Sequence, residues 1–383
     1  MKIDLKNLDK SGWQTYRFDE IAKNISQRID PTSTDIEQYI GLEHLDKESL
    51  HIRRVGSKSE VKGQKLKCFP GDVIFGKRRA YQRKAAVVTE EAICSAHAFV
   101  LRANPDVIEP ALFPFFLHSD QFMHRAVDIS VGGLSPTINW GTLKSQEFLL
   151  PPKEQQAELA ELLWAMDEVI EKELKLLERS VVLRRSKEKE AFNNEDFSPK
   201  IHALDYFDSV RDGTHDTPKK QSDGYKLLTS RNIINNKLSL ESDYFITKED
   251  YNAINKRSKV DKNDILFGMI GTVGQVCRVI DSPNYAIKNM GLFKVADEGK
   301  SLFAFYYFKS SFFQHNLKRK LSGTTQKYVS LGFLRSIKLP DHTKQKVRDW
   351  VATEILFDNL VVDVNNKVNP SKLLQKSLIS QIF

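Results

Sequence analysis

An internal repeat of about half the chain constrains the fold of this sequence more than any single motif. Residues 71–76 (GDVIFG) return as residues 263–268 (NDILFG), and residues 148–156 return as residues 337–345. The matches keep their order, and their offset drifts little, from 264 − 72 = 192 at the aspartates to 340 − 151 = 189 at the prolines. Solenoid repeats have periods of about 20–50 residues, so the pattern indicates a tandem duplication. A chain of two similar halves usually holds two similar objects.

Composition is compatible with a nucleic-acid partner, although many basic proteins bind no nucleic acid, and it favours a reducing compartment. The 383 residues suffice for two or three domains with separate cores, and the net charge of +8 suits a polyanionic partner. The three cysteines, Cys68, Cys94 and Cys277, lack the spacing of a zinc site, so we expect buried free thiols. The charged start lacks the apolar core of a signal peptide, and the longest apolar run, 302–308, is too short for a bilayer. We therefore expect a cytoplasmic protein without a membrane contact.

Each half begins with short apolar segments and ends with a long helical one. In the first half, segments 73–75, 85–88 and 98–101 are bounded by glycine, basic residues or Asn-Pro, which is typical of strands. The corresponding segments of the second half are 265–267, 275–280 and 291–295. The phenylalanine-rich segments 111–127 and 302–317 each predict one helix packed against the sheet.

Two long amphipathic helices are predicted behind these segments. Residues 153–192 lack glycine and proline, and their apolar residues recur every three or four positions. At 1.5 Å per residue, ~40 residues form a rod of roughly 60 Å. The C-terminal segment repeats the spacing from Val347 onwards, with a break expected at Asn369-Pro370. We expect the two helices to pair antiparallel because each must bury its apolar stripe; the alternative is that each covers only its own domain.

The predicted fold class is therefore α+β, with two similar mixed α/β domains separated by two long antiparallel, coiled-coil-like helices and related by an internal pseudo-two-fold repeat. The predicted boundaries are 1–150 for the first domain, 151–196 for the central helix, 197–339 for the second domain and 340–383 for the C-terminal helix.

A phosphate-binding loop is one candidate site. Residues 71–77 fit the first seven positions of a P-loop, but Arg78 stands where a Ser or Thr would bind magnesium. The inner residues 73–75 are apolar and predict a strand, whereas a phosphate cradle needs a flexible glycine-rich turn. Gly268, Gly271 and Gly274 predict a hairpin turn in the second half. A nucleotide hydrolase using the 71–77 segment is therefore the less favoured enzymatic alternative.

The strongest chemical signal is cationic. Residues 77–84 carry five positive charges, a tyrosine and a glutamine between two predicted strands. Such a hairpin tip can place arginine on phosphate or guanine and glutamine on adenine, and the alternative is a solvated loop. The polar segments 132–140, 212–218 and 323–330 are either phosphate contacts or ordinary turns. The candidate DNA-binding residues are Lys77, Arg78, Arg79, Tyr81, Gln82, Arg83, Lys84, Ser135, Thr137, Asn139, Thr214, His215, Thr217, Arg231, Thr324, Thr325, Gln326, Lys327 and Tyr328.

Four segments, taken in order, resemble the specificity (S) subunits of type I restriction-modification systems. They are 39–45 (YIGLEHL), 71–86 (GDVIFGKRRAYQRKAA), 151–156 (PPKEQQ) and 212–218 (DGTHDTP). The proline–glutamine segment followed by a long helix, used twice, is the most specific of these features. The resemblance implies two target recognition domains, each reading one half of a bipartite, asymmetric site in double-stranded DNA.

The resemblance also implies partner chains, namely two methyltransferase (modification) subunits and restriction (motor-nuclease) subunits. The long helices would form the spacer and dock the methyltransferase subunits. S-adenosylmethionine, ATP and magnesium would bind in the partner chains, so we expect this chain to be non-catalytic and without a cofactor of its own. The docking positions that we predict on the helices are Leu159, Leu163, Met166, Ile170, Leu177, Val351, Leu360 and Val364.

The two halves also depart from each other. The first half has Gln-Arg-Ile-Asp-Pro at 27–31 where the second has its Gly-Thr-His turn, and the second has Asp-His-Thr-Lys at 341–344 where the first has Pro-Lys-Glu-Gln. We therefore expect the two domains to contact DNA through different turns, and the two helix starts to be inequivalent docking surfaces. A further alternative is a helical scaffold that joins partners and touches no DNA.

Overall fold

The computed structural model describes residues 10–321 and 328–383. The chain forms two compact units: unit 1 combines Met1–Lys175 with Val364–Phe383, and unit 2 is Leu176–Asp363. Unit 1 is therefore built from two segments of the chain that are far apart in sequence.

Unit 1 contains two sheets of more than two strands. Its strands are β1 Gln14–Arg17, β2 Ala22–Asn24, β3 Arg28–Ile29, β4 Gln38–Ile40, β5 Gly56–Ser57, β6 Lys65–Cys68, β7 Val73–Gly76, β8 Ala85–Val87, β9 Ala92–Cys94, β10 Ala98–Ala103 and β11 Glu147–Leu150. Its helices are α1 Phe18–Ile21, α2 Phe113–His118, α3 Asp120–Asp128, α4 Trp140–Leu143 and the first part of α5 Lys153–Phe192, with 3-10 turns at Pro31–Ser33, Lys58–Glu60 and Ala80–Gln82. The sheet orders are β2-β10-β7-β8 and β3-β6-β9-β4-β5, and β1 pairs with β11.

Unit 2 repeats this topology. Its strands are β12 Ile201–His202, β13 Ser209–Asp212, β14 Tyr225–Thr229, β15 Ile233–Ile234, β16 Lys237–Leu238, β17 Phe245–Ile246, β18 Ile265–Gly268, β19 Val276–Arg278, β20 Tyr285–Lys288, β21 Met290–Lys294 and β22 Lys338–Leu339. Its helices are α6 Ala203–Tyr206, α7 Lys248–Ser258, α8 Glu298–Lys309, α9 Ser311–Leu321, α10 Leu331–Ser336 and the first part of α11 Gln345–Ile382, with 3-10 turns at Glu195–Phe197 and Ser230–Asn232. The order β13-β21-β18-β19 matches β2-β10-β7-β8, and the β12/β22 pair matches β1/β11. The parallel pair β14/β20 likewise matches β4/β9, so the duplication is confirmed.

The repeated Gly-Asp and Asn-Asp segments form the turns that begin β7 and β18. The residue before each aspartate has a positive φ, 87° in the glycine and 74° in the asparagine, which these two residue types tolerate best. Asp72 and Asp264 are buried, and each accepts a backbone N–H from the residue three positions earlier. Each also pairs with a cation on the neighbouring strand, Arg102 at 2.7 Å and Lys294 at 2.5 Å. The strongest repeat in the sequence is therefore a structural turn.

The predicted strands are confirmed, but each phenylalanine-rich segment forms two helices where we expected one. A serine separates the helices in both units, Ser119 between α2 and α3 and Ser310 between α8 and α9. Both serines are extended, with ψ of 151° and 147°. Each hydroxyl accepts a backbone N–H of the following helix, at 3.2 and 3.1 Å, as an N-cap does. The expectation of one helix was wrong because these caps favour a corner over helix continuation.

The long helices predicted behind the sheets are present, and α5 and α11 run antiparallel within each unit. In unit 1, Gln375 Nε2 donates to the Leu163 carbonyl, and Lys367 pairs with Glu173. In unit 2, Arg184 Nε donates to Glu354 at 2.8 Å, and the ring centroids of Phe192 and Trp350 lie 5.3 Å apart. In these contacts the residue numbers rise along α5 as they fall along α11. The two helices therefore pack against each other, and the alternative in which each helix covers only its own domain is not observed.

Helix α11 continues through Pro370, so the break expected at Asn369-Pro370 is wrong. A proline inside a helix removes one N–H donor and leaves the carbonyl four residues earlier without its usual partner. Pro370 lies on the exposed side of α11, where water can satisfy that carbonyl. The helix therefore tolerates a residue that usually ends one.

The two helix starts differ in structure. Gln156 is buried, and its Nε2 donates to the carbonyls of Val107 (3.0 Å) and Pro151 (2.9 Å). Its Oε1 accepts the backbone N–H of Glu109 at 2.5 Å. The matching Gln345 is exposed and bonds only one turn further along its own helix. Gln156 therefore connects the start of α5 to the 107–109 segment of unit 1, whereas Gln345 makes no corresponding contact at the start of α11.

The predicted docking positions on the helices are mostly interior. Leu159, Leu163 and Ile170 are buried within unit 1, as is Val364, and Val351 is buried within unit 2. The remaining positions, Met166, Leu177 and Leu360, are half-buried. Five of the eight side chains therefore pack inside the units, and docking of a partner chain through the helices stays a prediction.

The three cysteines are buried free thiols, as expected. Burial raises the pKa of Cys68 and of Cys277 to about 12 and also raises that of Cys94. Across residues 10–321 and 328–383, none of the helices is both long enough and apolar enough to span a membrane.

Candidate nucleic-acid interface

The cationic segment 77–84 is the loop of the β7–β8 hairpin, as predicted. The strands pair antiparallel from Val73↔Val87 to Phe75↔Ala85. The loop contains a 3-10 turn flanked by two arginines with positive φ, 58° and 51°. The segment proposed as a P-loop therefore consists of a buried strand followed by this turn, and it lacks the helix start that a phosphate cradle requires.

The loop divides its side chains into an exposed set and an interior set. Arg78, Arg79 and Tyr81 are exposed, with Tyr81 at 52%. Lys84 Nζ donates to the Leu42 carbonyl at 2.6 Å, so this ammonium group is used in a contact within unit 1. The loop therefore presents fewer free cations than its sequence contains.

Three further members of the loop are partly enclosed. Lys77 is half-buried with its Nζ 5.1 Å from the centre of the Phe99 ring, and burial lowers the pKa of Lys77. The guanidinium of Arg83 is held by Asp120, and Gln82 is half-buried. Arg78 and Arg79 are consequently the best-placed cations of this loop for a phosphate or a base.

A second loop, residues 131–137, packs beside the hairpin loop of unit 1. Arg79 N donates to the Pro136 carbonyl at 2.7 Å, and Arg78 and Thr137 form an antiparallel bridge. Arg79 Nε donates to Ser135 Oγ at 3.2 Å. The structure thus brings Ser135 and Thr137 to the exposed arginines, although the sequence separates them by more than 50 residues.

Asn139 has a structural task at the edge of this surface. Its side chain accepts the backbone N–H of Gly141 at 3.0 Å and caps α4. A contact of Asn139 with DNA stays a prediction, since a capping side chain has limited freedom to reorient.

Unit 2 joins two loops in the same way. The hairpin between β18 and β19 carries Ile270, which forms an antiparallel bridge with Tyr328. Met269 accepts the backbone N–H of Val329 at 2.9 Å. Ile270 and Tyr328 are 49% and 48% exposed. The bridge of Arg78 with Thr137 in unit 1 therefore has a counterpart in unit 2 with different side chains.

The Gly-Thr-His turn lies on β20 in unit 2. Thr214 bridges to Lys288, and the hydroxyl of Thr217 accepts a hydrogen bond from the Lys288 ammonium. His215 is exposed and lies 2.9 Å from both Asp212 Oδ2 and Asn289 Oδ1. In unit 1 the matching residues form β3 and a 3-10 turn, so the two turns differ in structure, and contact of either turn with DNA stays a prediction.

Arg231 lies next to the Gly-Thr-His turn because the neighbouring Ser230 is hydrogen-bonded to residues near that turn. Ser230 Oγ donates to the carbonyl of Asn289 at 2.8 Å and accepts the N–H of Met269 at 3.2 Å. Arg231 itself is exposed. The structure thereby brings together the turn with His215, the 3-10 turn with Arg231 and the hairpin of unit 2.

Four predicted residues lie outside the described part of the chain. They are Thr324, Thr325, Gln326 and Lys327. The sequence did not single out Lys288 and Asn289, which hold the Gly-Thr-His turn. Asn289 has a φ of 52°, and an asparagine directly after an apolar strand segment is the signal that would have indicated such a position.

Comparison with known proteins identifies the family. The sequence profile of the type I restriction modification DNA specificity domain matches residues 10–179 and 207–347. The specificity subunit of the type I restriction enzyme HindI, from Haemophilus influenzae, is 23% identical over 168 residues. That alignment spans 42% of this chain and 36% of the relative, so the chain covers about a third of the curated relative that it matches.

Solved structures share the fold. The S subunit of the type I restriction-modification system from M. genitalium aligns with a TM-score of 0.64 at 14% identity, over 98% of both chains. A second solved chain aligns with a TM-score of 0.56 at 17% identity, over 97% of both chains. It comes from a structural study of complex assembly and conformational transition of the type I R-M system. Since the family profile matches most of the sequence in two copies, this chain belongs to the family of type I restriction-modification specificity subunits.

Proposed function

We propose that this chain is the non-catalytic DNA sequence-specificity subunit of a type I restriction-modification complex, and that each unit reads one half of a bipartite, asymmetric site. The observation that carries the proposal is the pair of bridged loops in each unit. The backbone bridge is the same, but Arg78 meets Thr137 in unit 1 and Ile270 meets Tyr328 in unit 2. A shared frame with unlike side chains suits two half-sites of different sequence.

The partners and cofactors of the complex follow from this role. We propose that two methyltransferase subunits bind the exposed faces of α5 and α11 and that restriction subunits join them in the cytoplasm. Exposed apolar side chains, among them Val169 (53%) and Leu373 (69%) in unit 1 and Val182 (64%) in unit 2, are available for these contacts. S-adenosylmethionine, ATP and magnesium are assigned to the partner chains.

The test is a map of methylated adenines in the host genome with and without this gene. We expect one bipartite, non-palindromic motif to carry methylated adenine when the gene is present and to lose it when the gene is deleted. An unchanged methylation pattern would contradict the proposed role.

A second measurement separates the alternatives. A scaffold that touches no DNA predicts an unchanged motif when Arg78 and Arg79 are both replaced by alanine. A nucleotide hydrolase predicts ATP turnover that is lost in Lys77→Ala. The specificity role predicts that the arginine variant alters the occupancy of the motif and that the purified chain has no ATP turnover.

A further inference from the structure

Leu134 is exposed to an extent that folding does not explain. Its exposure of 96% is the highest among the large hydrophobic side chains in the described part of the chain. Single exposed apolar residues are common, but most lie on surfaces where part of the side chain still packs. Leu134 instead lies in the 131–137 loop, beside the hairpin loop of unit 1.

The loop that carries Leu134 is closed at its base. Val131 and Thr137 exchange two backbone hydrogen bonds, of 3.1 and 3.0 Å, and so close its base. Gly132, with a φ of 115°, and Gly133 precede the leucine and contribute no side chains. Leu134 is therefore the one long side chain that projects from the tip of a short, closed loop.

The surroundings of Leu134 are cationic. The adjacent Ser135 accepts a hydrogen bond from Arg79, and Arg78 bridges to Thr137 at the base of the loop. Both arginines are exposed. An apolar tip beside two cations complements a surface on which negative charge surrounds a small apolar group. In the DNA major groove, the phosphates supply the negative charge and the 5-methyl group of thymine is the apolar group.

We propose that Leu134 contacts the 5-methyl group of one thymine in the half-site bound by unit 1, and so acts as a specificity-determining residue. This inference rests on the proposed function. Insertion of the leucine between base pairs is the competing use of an apolar tip. Insertion must offset the loss of base stacking, whereas a contact with the methyl group leaves the bases stacked.

The first test compares thymine with uracil, which lacks only the methyl group. The full chain, together with any chains that copurify with it, is titrated with a duplex of the mapped motif in which each thymidine is replaced singly by deoxyuridine. We expect one replacement to weaken binding about fourfold, the size expected for one buried methyl-sized group. If no replacement in the site changes the affinity, the inference fails while the proposed function stands.

Two variants assign the effect to Leu134. In Leu134→Ala the affinity should no longer depend on the sensitive methyl group. In Val131→Ala, which alters an apolar residue of the same loop that is 73% exposed, the dependence should persist. A uracil effect of full size in Leu134→Ala would assign the contact to another residue and overturn the proposal.

A fluorescent base distinguishes contact from insertion. With 2-aminopurine placed next to the sensitive thymine, a methyl contact leaves the fluorescence low on binding, and insertion raises it by unstacking the base. A rise in fluorescence would overturn the methyl contact. If the unaltered complex failed to bind the mapped duplex at all, the proposed function would be refuted and the inference with it.

Discussion

Arg83 Nη2 donates a hydrogen bond of 2.6 Å to the Oδ1 carboxylate oxygen of Asp120, at the start of α3. The same nitrogen donates to the carbonyl of His118 at 3.1 Å. The Arg83 guanidinium also lowers the pKa of the Asp120 carboxyl. The charge of Arg83 is therefore used inside unit 1, whereas Arg78 and Arg79, on the same loop, are exposed.

Replacing both exposed arginines should weaken DNA binding in a salt-dependent way. Each phosphate contact that is lost reduces the slope of log K against log salt by about 0.9, so Arg78→Ala with Arg79→Ala should flatten the slope by up to about 2. Fluorescence anisotropy of a labelled duplex over a series of salt concentrations measures the slope.

Arg83→Ala is the matched control for this experiment, because it removes a positive charge from the same loop. It should leave the salt slope unchanged and lower the free energy of unfolding by about 1 kcal/mol, since Asp120 loses a charged hydrogen-bond partner but is 38% exposed to water. A flattened slope in Arg83→Ala would show that Arg83 leaves Asp120 to contact DNA.

The buried glutamine of the proline–glutamine segment should be important for stability. In Gln156→Ala, two carbonyls and one N–H lose their partner. We expect a loss of about 2–4 kcal/mol, because each unpaired buried polar group costs about 1–3 kcal/mol and the site relaxes in part. Urea unfolding monitored by circular dichroism measures the change.

The repeat supplies the control for this substitution as well. Gln345→Ala changes the same residue type at the matching position, where the side chain is exposed, and should alter stability by less than about 0.5 kcal/mol. Equal losses in the two variants would contradict the difference between the two helix starts.

The ion pair of His51 with Asp167 should contribute more to the stability of unit 1 at low pH than at high pH. The hydrogen bond from His51 to Asp167 raises the pKa of His51 above 6.5; burial opposes the shift, Glu171 adds to it and Arg53 opposes it. A histidine with a raised pKa in the folded state contributes stability that is fully present below the pKa of the unfolded chain. That contribution is lost as the pH rises through the folded pKa.

His51→Gln isolates this contribution. The urea midpoint of the variant should lie further below that of the unaltered chain at pH 6 than at pH 9. Burial lowers the pKa of His118 in the same unit and acts in the opposite direction, but it is present in both proteins and cancels. A difference between the two proteins that grows with pH would contradict the pairing.

The cysteines should not react in the folded chain. The thiolate is the reactive form, and burial both raises the pKa of the three thiols and blocks access to them. We expect a disulfide reagent to modify no thiol in buffer and all three in urea. A thiol that reacts in buffer as fast as free cysteine would reveal local opening around it.

The sequence predicted the architecture because strand segments and helix periodicity are local patterns, and because the repeat is visible when one half of the sequence is compared with the other. It missed the corner at Ser119 because a serine among phenylalanines is compatible with helix, and the cap that bends the chain is decided by packing. It expected a break at Pro370 because local rules take no account of the partner helix and the exposed position that sustain α11.

The sequence predicted which segments form the candidate interface, but it did not predict which of their side chains are exposed. The charge run at 77–84 indicated a cationic loop, but only the fold shows that Arg83 and Lys84 are tied down. Leu134 was part of a noted loop, yet its exposure depends on how Val131 and Thr137 close that loop. Side-chain direction in loops is set by long-range contacts, which a single sequence does not encode locally.

The discontinuity of unit 1 has a consequence for synthesis on the ribosome. Its core includes Leu378, Ile379 and Ile382, packed with Leu159 and Leu163 of α5. Between Lys175 and Val364 lie 363 − 175 = 188 residues, which take on the order of 10–40 s to translate. Synthesis of unit 1 thus begins first and ends last. During that interval the apolar side chains of α5 that pack against residues 378–382 stay exposed on the nascent chain, and chaperones bind such surfaces.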